Sequence, residues 1–519
     1  MKTETLAGVK RESNSLNTCV EHSGSTKKSN ATSITKQIKL LLLFIVISST
    51  SFANNVAVSN VVLTGQNTTS DFTLVEFDIS WDNSWWTSVG TSNWDAAWVF
   101  VKYRLKTQTT WNHASLNWVD GTGSGDGHTE PANTNIASAN DNGGGNSYGV
   151  FIHRDADLLQ GTVSYTDVQL RWEYGDDGLA DGDSVEVCVF AIEMVYVPQA
   201  AFELGSGGTE VDPFYLYPTT TNTYTVSSEA AITVGTTAGN LYYATVQNGG
   251  DQLGPIPAAF PKGFNAFYCM KYEVSQEQYA EFLNKLTTAQ DATRFPNRNG
   301  NFRHAITGSA GARTTTNPYV ACNYLSWADV AAYLDWAALR PMSELEYEKA
   351  CRGTIAPVAN EYAWGNTSAT KATGISNASL TNETASNADA NCVYNNAAGV
   401  QSPLRTGCLG QGVNTRVGVG ASYYGIMELS GNVWERPVTV GNPTGRLFNG
   451  VNGDGVLDAT GNANTANWPN TTATGAGFRG GSWITLAVFL RLSDRHSSAY
   501  TFISSQGASF GGRGVRVAP

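Results

Sequence analysis

Two adjacent glycines closed by a large aromatic, in Phe478-Arg479-Gly480-Gly481-Ser482-Trp483, constrain this chain more than any other stretch. Paired glycines are needed where φ is positive or where another backbone or a ligand comes close, because a Cβ would collide there. The segment reads as a strand entering a crowded backbone junction. A second stretch of the same kind lies upstream, Tyr424-Gly425-Ile426-Met427-Glu428-Leu429-Ser430-Gly431-Asn432-Val433-Trp434-Glu435, and the chain closes with Gly514-Val515-Arg516-Val517.

At 519 residues the chain is too long for one ordinary domain, and two or three are expected. Its 53 glycines and frequent Asn, Thr and Ser predict short strands and turns rather than long helices. Residues 1–53 read as an export leader. Lys36 and Lys39 precede the apolar run Leu40 to Ile47, and Ser51-Phe52-Ala53 offers a cleavage site. The run is too short to span a bilayer. An uncleaved anchor is the alternative, and no span is expected after cleavage. Losing the leader removes seven Lys/Arg and three Asp/Glu, which moves the net charge from −12 to −16. Such acidity argues against nucleic acid or anionic lipid as a partner.

Seven cysteines occur, and Cys19 falls in the leader. The other six are Cys188, Cys269, Cys322, Cys351, Cys392 and Cys408. Export favours disulfides among them, and Cys392 and Cys408, flanking one loop-like segment, are the favoured pair. No CxxC and no cysteine–histidine cluster at zinc spacing is present.

Residues 54–191 read as strand after strand. Phe72 to Trp81, Ala97 to Leu105 and Val168 to Tyr174 alternate at period two, and Gly/Asn/Asp clusters separate them. This predicts an all-β domain of sandwich type. Eight of the 14 tryptophans lie in it. Most are expected in core and cross-strand packing. Trp85-Trp86, set among polar loop residues, fits a core least well and is the candidate platform for a sugar or a partner surface.

A second domain is expected over 192–519, with three short helices that carry start signals. Ser275 with Gln278 and Ser343 with Glu346 make capping boxes, Ser326 opens the middle helix, and Gly353 stops the third. Residues 366–422, rich in Asn, Ala, Thr and Ser, read as a long surface loop.

The three opening motifs, with Glu193 to Ser206, Lys271-Tyr272-Glu273-Val274, Ser326 to Gly353 and Trp364-Gly365, resemble the formylglycine-generating enzyme, or sulfatase-modifying-factor, family over about 192–519. The resemblance implies an irregular α+β fold related to C-type lectins. It also implies calcium on the second motif, with ligands falling on Glu428 and Glu435 by side chain and on Gly431 and Val433 by carbonyl, oxygen donors that suit Ca²⁺. The alternative is a turn held by Asn432, with Glu435 bonded to backbone amides. Asn452 to Asp458 resembles part of an EF-hand loop, but Gly450 stands at its first position, so a glycine-rich turn is expected.

Enzymes of that family hold Cu(I) on two cysteine thiolates just after the Gly-Gly motif and use oxygen to convert a substrate cysteine to formylglycine. The two positions fall here on Thr485 and Leu490, neither of which can replace a thiolate. Copper is therefore not expected, and no catalytic residue is assigned. Ser482, Trp483, Arg491 and Arg495 are the candidate pocket residues, and the alternative for the two arginines, the favoured one, is simple pairing with carboxylates. The expectation is an exported protein, periplasmic, cell-surface or secreted, that binds or builds in the cell envelope, with a protein or glycan as its ligand. The alternatives are a formylglycine-generating-type oxidase that modifies cysteine in target proteins and a carbohydrate-binding protein.

Overall fold

The computed structural model describes residues 17–21, 55–395, 400–409, 415–500 and 505–519. The apolar run 40–47 and the cleavage site at Ala53 lie outside them. Asn17–Glu21, inside the span read as leader, is a short strand that pairs with Glu186 to Phe190. Among the described residues no helix is long and apolar enough to cross a membrane.

The architecture is mixed, with many strands and few helices. The first layer is a sheet of β1 (Ala57–Asn67), β2 (Phe72–Trp86) and β6 (Leu158–Trp172), in the order β1-β2-β6, extended by two-residue strands. Facing it is a second sheet made from β3 (Asp95–Leu105), β4 (Thr134–Ser138), β5 (Val150–Arg154), β7 (Val185–Val197), β8 (Phe267–Met270) and β9 (Val515–Val517). Its order is β9-β8-β7-β3-β5-β4.

The period-two reading of β2 matches its alternation of buried and half-buried positions. Strands β3 and β7 are buried on both faces, and their alternation divides their side chains between two cores. Ala97, Val99, Val101, Val187, Val189 and Ala191 pack with Val75, Phe77 and Ile79 of the first sheet. Their neighbours Trp98, Phe100, Phe190 and Ile192 pack with the helices of the second half. Burying each such Phe or Ile stabilises the fold by about 1.5–3 kcal/mol. Phe100 and Phe190 both meet Trp336 edge-on, at 5.3 and 4.9 Å, and the Trp98 indole donates to Ala337 O at 2.8 Å.

The boundary expected at residue 191 therefore falls within a strand. β7 pairs with β3 from Val185 to Val195, and its last residues, Met194 to Val197, pair with β8. A chain cut at 191 would split a ladder whose two ends serve both cores.

Four helices longer than four residues follow among the described residues, α1 (Gln276–Asn284), α2 (Thr288–Arg294), α3 (Trp327–Trp336) and α4 (Glu344–Arg352). Each starts with a full capping box, on Ser275, Thr287, Ser326 and Ser343. The box at Thr287 with Gln290 marks a helix that the sequence reading did not include. Gly353, at φ 69°, stops α4 as expected.

The segment 366–422 is not wholly a surface loop. Ala372, Ala385, Val393, Leu404, Cys408 and Leu409 are buried in a small cluster of their own around Trp483. Asn452 to Asp458 is irregular chain whose amides bond to the end of α3 and the residues after it, Asp454 N to Asp335 Oδ1 at 3.1 Å and Gly453 N to Leu339 O at 2.7 Å.

Candidate functional site

The Gly-Gly motif and the Tyr424–Glu435 motif are laced together through backbone. Gly431 N donates to Gly480 O at 2.8 Å, Trp483 N to Asn432 O at 2.8 Å, and Glu435 and Arg479 exchange amide bonds at 3.1 Å. Both glycines have positive φ, 81° and 69°. A Cβ on Gly480 would lie 2.5 Å from Leu429 O, and one on Gly481 would lie 2.6 Å from the Leu490 side chain. The expected close approach is thus to a second backbone and to a neighbouring side chain.

Arginines and α4 carboxylates hold this junction from behind. Arg479 reaches Glu344 at 3.2 Å and Glu348 at 2.7 Å, and donates to Leu492 O at 2.6 Å. Arg495 forks onto Glu344 at 2.8 and 3.0 Å. Its guanidinium lies over Phe214 and Tyr243, at 4.0 and 4.3 Å from the ring centres. All four charged groups are fully buried. The arginines hold the Glu344 carboxyl below the usual range despite its burial, Arg495 most strongly. Arg495, a pocket candidate, thus follows the alternative of pairing with carboxylates inside the core.

The other pocket candidates are also dispersed. Trp483 is buried, donates to Ala508 O at 3.1 Å and lies 5.0 Å from Phe302, ring centre to ring centre. Ser482 is buried, and its hydroxyl has no hydrogen-bond partner among the described residues. Arg491 donates to Asn360 Oδ1 at 2.9 Å.

At the positions matching the copper cysteines, Thr485 accepts from Ser482 N at 2.8 Å and donates to Ser482 O at 3.0 Å, which closes a local turn. Leu490 is buried in an apolar cluster with Tyr362, Trp364 and Cys392. Cys392 and Cys408, favoured above as a disulfide, are separate free thiols in different clusters. Cys269, Cys322 and Cys351 are free and buried too. Burial pushes the Cys351 thiol up to about 12 and raises the other four as well.

Of the residues expected to bind calcium, Glu428 and Glu435 are both buried and interact electrostatically. A third buried carboxylate, Glu273, interacts electrostatically with both and accepts from Asn432 Nδ2 at 2.5 Å and from Val433 N at 3.0 Å. Glu428 accepts from Gly407 N at 2.8 Å, and Glu435 accepts from Arg513 Nε. Burial raises all three carboxyls, Glu428 to about 7, while the Arg513 guanidinium opposes the rise at each. This donor set does not fit a divalent ion: a buried cation already holds one of its carboxylates. Among the described residues no group of three or more His, Cys, Asp or Glu is placed to hold a metal.

Comparison with known families matches residues 219–517 to the sulfatase-modifying factor enzyme 1-like domain. The chain belongs to this family. No curated protein matches it. The family span begins after β7, so the strand that joins the two cores precedes it. Arg513 lies just before the terminal Gly-x-Arg motif of the family domain, and its arginine beside a glycine is the one sequence signal that could have revealed it. Glu273 sits in a motif already singled out, but nothing local shows which carboxylates it will meet.

Trp85 and Trp86 lie where the first sheet meets the family domain. Trp86 stacks on Trp94 at 5.5 Å, and Trp94 on Tyr196 at 4.0 Å. Lys271 Nζ lies 5.0 Å from the centre of the Trp85 ring. The same indole helps to line a cavity of about 370 Å³ with Asn93, Gln160, Arg416, Tyr423 and Tyr424. Beneath it the buried Lys271 bridges Asp95 at 3.3 Å and Glu193 at 3.0 Å. Both indoles are half-buried, Trp86 packed on Trp94 and Trp85 set between Lys271 and the cavity.

Proposed function

We propose that this protein is an exported member of the sulfatase-modifying-factor family that lacks the cysteine oxidase reaction and serves in the cell envelope by binding a polypeptide partner. The observation that carries the reading is the pair Thr485 and Leu490. One side chain is used up in a turn and the other fills a dry cluster, so neither position offers Cu(I) a thiolate. The free cysteines are buried, with thiols raised far above neutral pH, and do not supply a substitute pair.

The surface next to these positions supports a binding role. Ile484, Leu486 and Val488 are 43, 57 and 41% exposed, and Phe302, packed on Trp483, is 44% exposed. These exposed apolar side chains, carried on a turn and the short 3-10 helix Ala487–Leu490, suit a polypeptide partner. The apolar run and cleavage site read in residues 1–53 support an envelope location.

The test is to incubate copper-loaded protein with a cysteine-containing sulfatase peptide in air and to weigh the peptide by mass spectrometry. The expected result is an unchanged mass. Conversion of the cysteine to an aldehyde would overturn the reading.

A further inference from the structure

Glu273, Glu428 and Glu435, from three separate stretches of chain, are buried within electrostatic reach of Arg513, which comes from a fourth. The guanidinium binds Glu435 through Nε and donates through Nη1 to Met270 O at 3.3 Å and Lys271 O at 3.2 Å. All four side chains are buried. Three polar atoms are left over: Glu428 Oε2, Glu435 Oε2 and Arg513 Nη2 have no hydrogen-bond partner among the described residues. Two carboxylate oxygens and one donor of the cation thus remain unpaired around Arg513.

A cluster of buried carboxylates is unstable unless something cancels its charge. Two solutions exist, a bound divalent cation or a buried side-chain cation. Ca²⁺ needs six to eight oxygens at roughly 2.3–2.6 Å, and it cannot share a dry centre with a guanidinium without strong repulsion. Arg513 also cannot swing aside cheaply, since its Nη1 is tied to two carbonyls of the strand end that carries Glu273.

We propose that Arg513 is the resident cation of this centre, an internal substitute for the divalent ion, and that it makes the fold independent of calcium. The ligand oxygens on Glu428 and Glu435 are retained, so the ion site is masked rather than dismantled. Removing the guanidinium should uncover it.

The experiment uses the full chain. Wild type is dialysed against EGTA and then buffer, its metal content is measured, and it is titrated with calcium chloride by calorimetry and by thermal melting. Wild type is expected to hold no stoichiometric calcium and to melt at the same temperature in EGTA and in millimolar calcium. Arg513→Ser is expected to melt lower in EGTA and to regain most of the loss, saturably, on adding calcium. That regain should vanish in Arg513→Ser with Glu435→Gln. Stoichiometric calcium in wild type that is lost in Glu435→Gln overturns the proposal. So does an Arg513→Ser protein that folds and ignores calcium. If Arg513→Ser does not fold, the wild-type titration and Arg513→Lys decide. Lysine keeps the charge, so a folded, calcium-indifferent Arg513→Lys protein supports the proposal and a calcium-responsive one refutes it.

Discussion

Replacing Arg479 with methionine tests what holds the Gly-Gly junction in place. The guanidinium is fully buried, 2.7 Å from Glu348 and 3.2 Å from Glu344. Methionine keeps much of the volume and removes the charge. Breaking a buried pair from one side costs about 3–5 kcal/mol, because the partner is left charged and desolvated. The remaining bonds set where in that range the loss falls. Glu344 keeps the Arg495 fork. Glu348 keeps Gly205 N at 2.8 Å and Ser493 Oγ at 3.2 Å, both on its other oxygen. The expected loss is therefore near the lower end, about 3 kcal/mol. Urea unfolding followed by tryptophan fluorescence reads it as a fall in midpoint at an unchanged slope. Adding Glu348→Gln should restore part of the loss, since the uncompensated charge goes with it. A loss below about 1 kcal/mol, the scale of an exposed ion pair, would refute the argument.

Two further outcomes can be measured. His304 is buried against Asn323, and desolvation lowers its imidazole to about 4. The unfolded chain then takes up a proton first, so stability present above the ordinary value of 6.5 is lost as pH falls toward about 4. His304→Phe should flatten the acid limb of urea midpoint against pH, by up to roughly 3 kcal/mol; an unchanged limb would remove this histidine from the account. The five free cysteines are buried, so an alkylating reagent should leave them untouched in native protein and modify Cys392 and Cys408 separately after unfolding without reductant. A peptide pair linked through those two cysteines would contradict the structure.

What the sequence determined by itself is local. Period-two patterns placed β2, β3 and β6, because side chains alternate across a strand whatever lies opposite. Serine with Gln or Glu three residues on placed the starts of α1 and α4, since a capping box closes on its own backbone. The ordered motifs placed the family, and the glycines of Gly480-Gly481 announced a close approach without saying to what. Only the tertiary structure decided the partners. The alternation in β3 and β7 specifies two faces but not that one would cover a β-layer and the other the helices. The same limit hid the packing of Trp85 and Trp86 and the small core around Trp483. It hid Arg513 most fully. The guanidinium and Glu273 are 240 residues apart in the chain, and they share one charge balance only because β8 and β9 pair and bring both into the same buried centre. Electrostatic compensation in a dry interior depends on distance in space, which no spacing along the chain records.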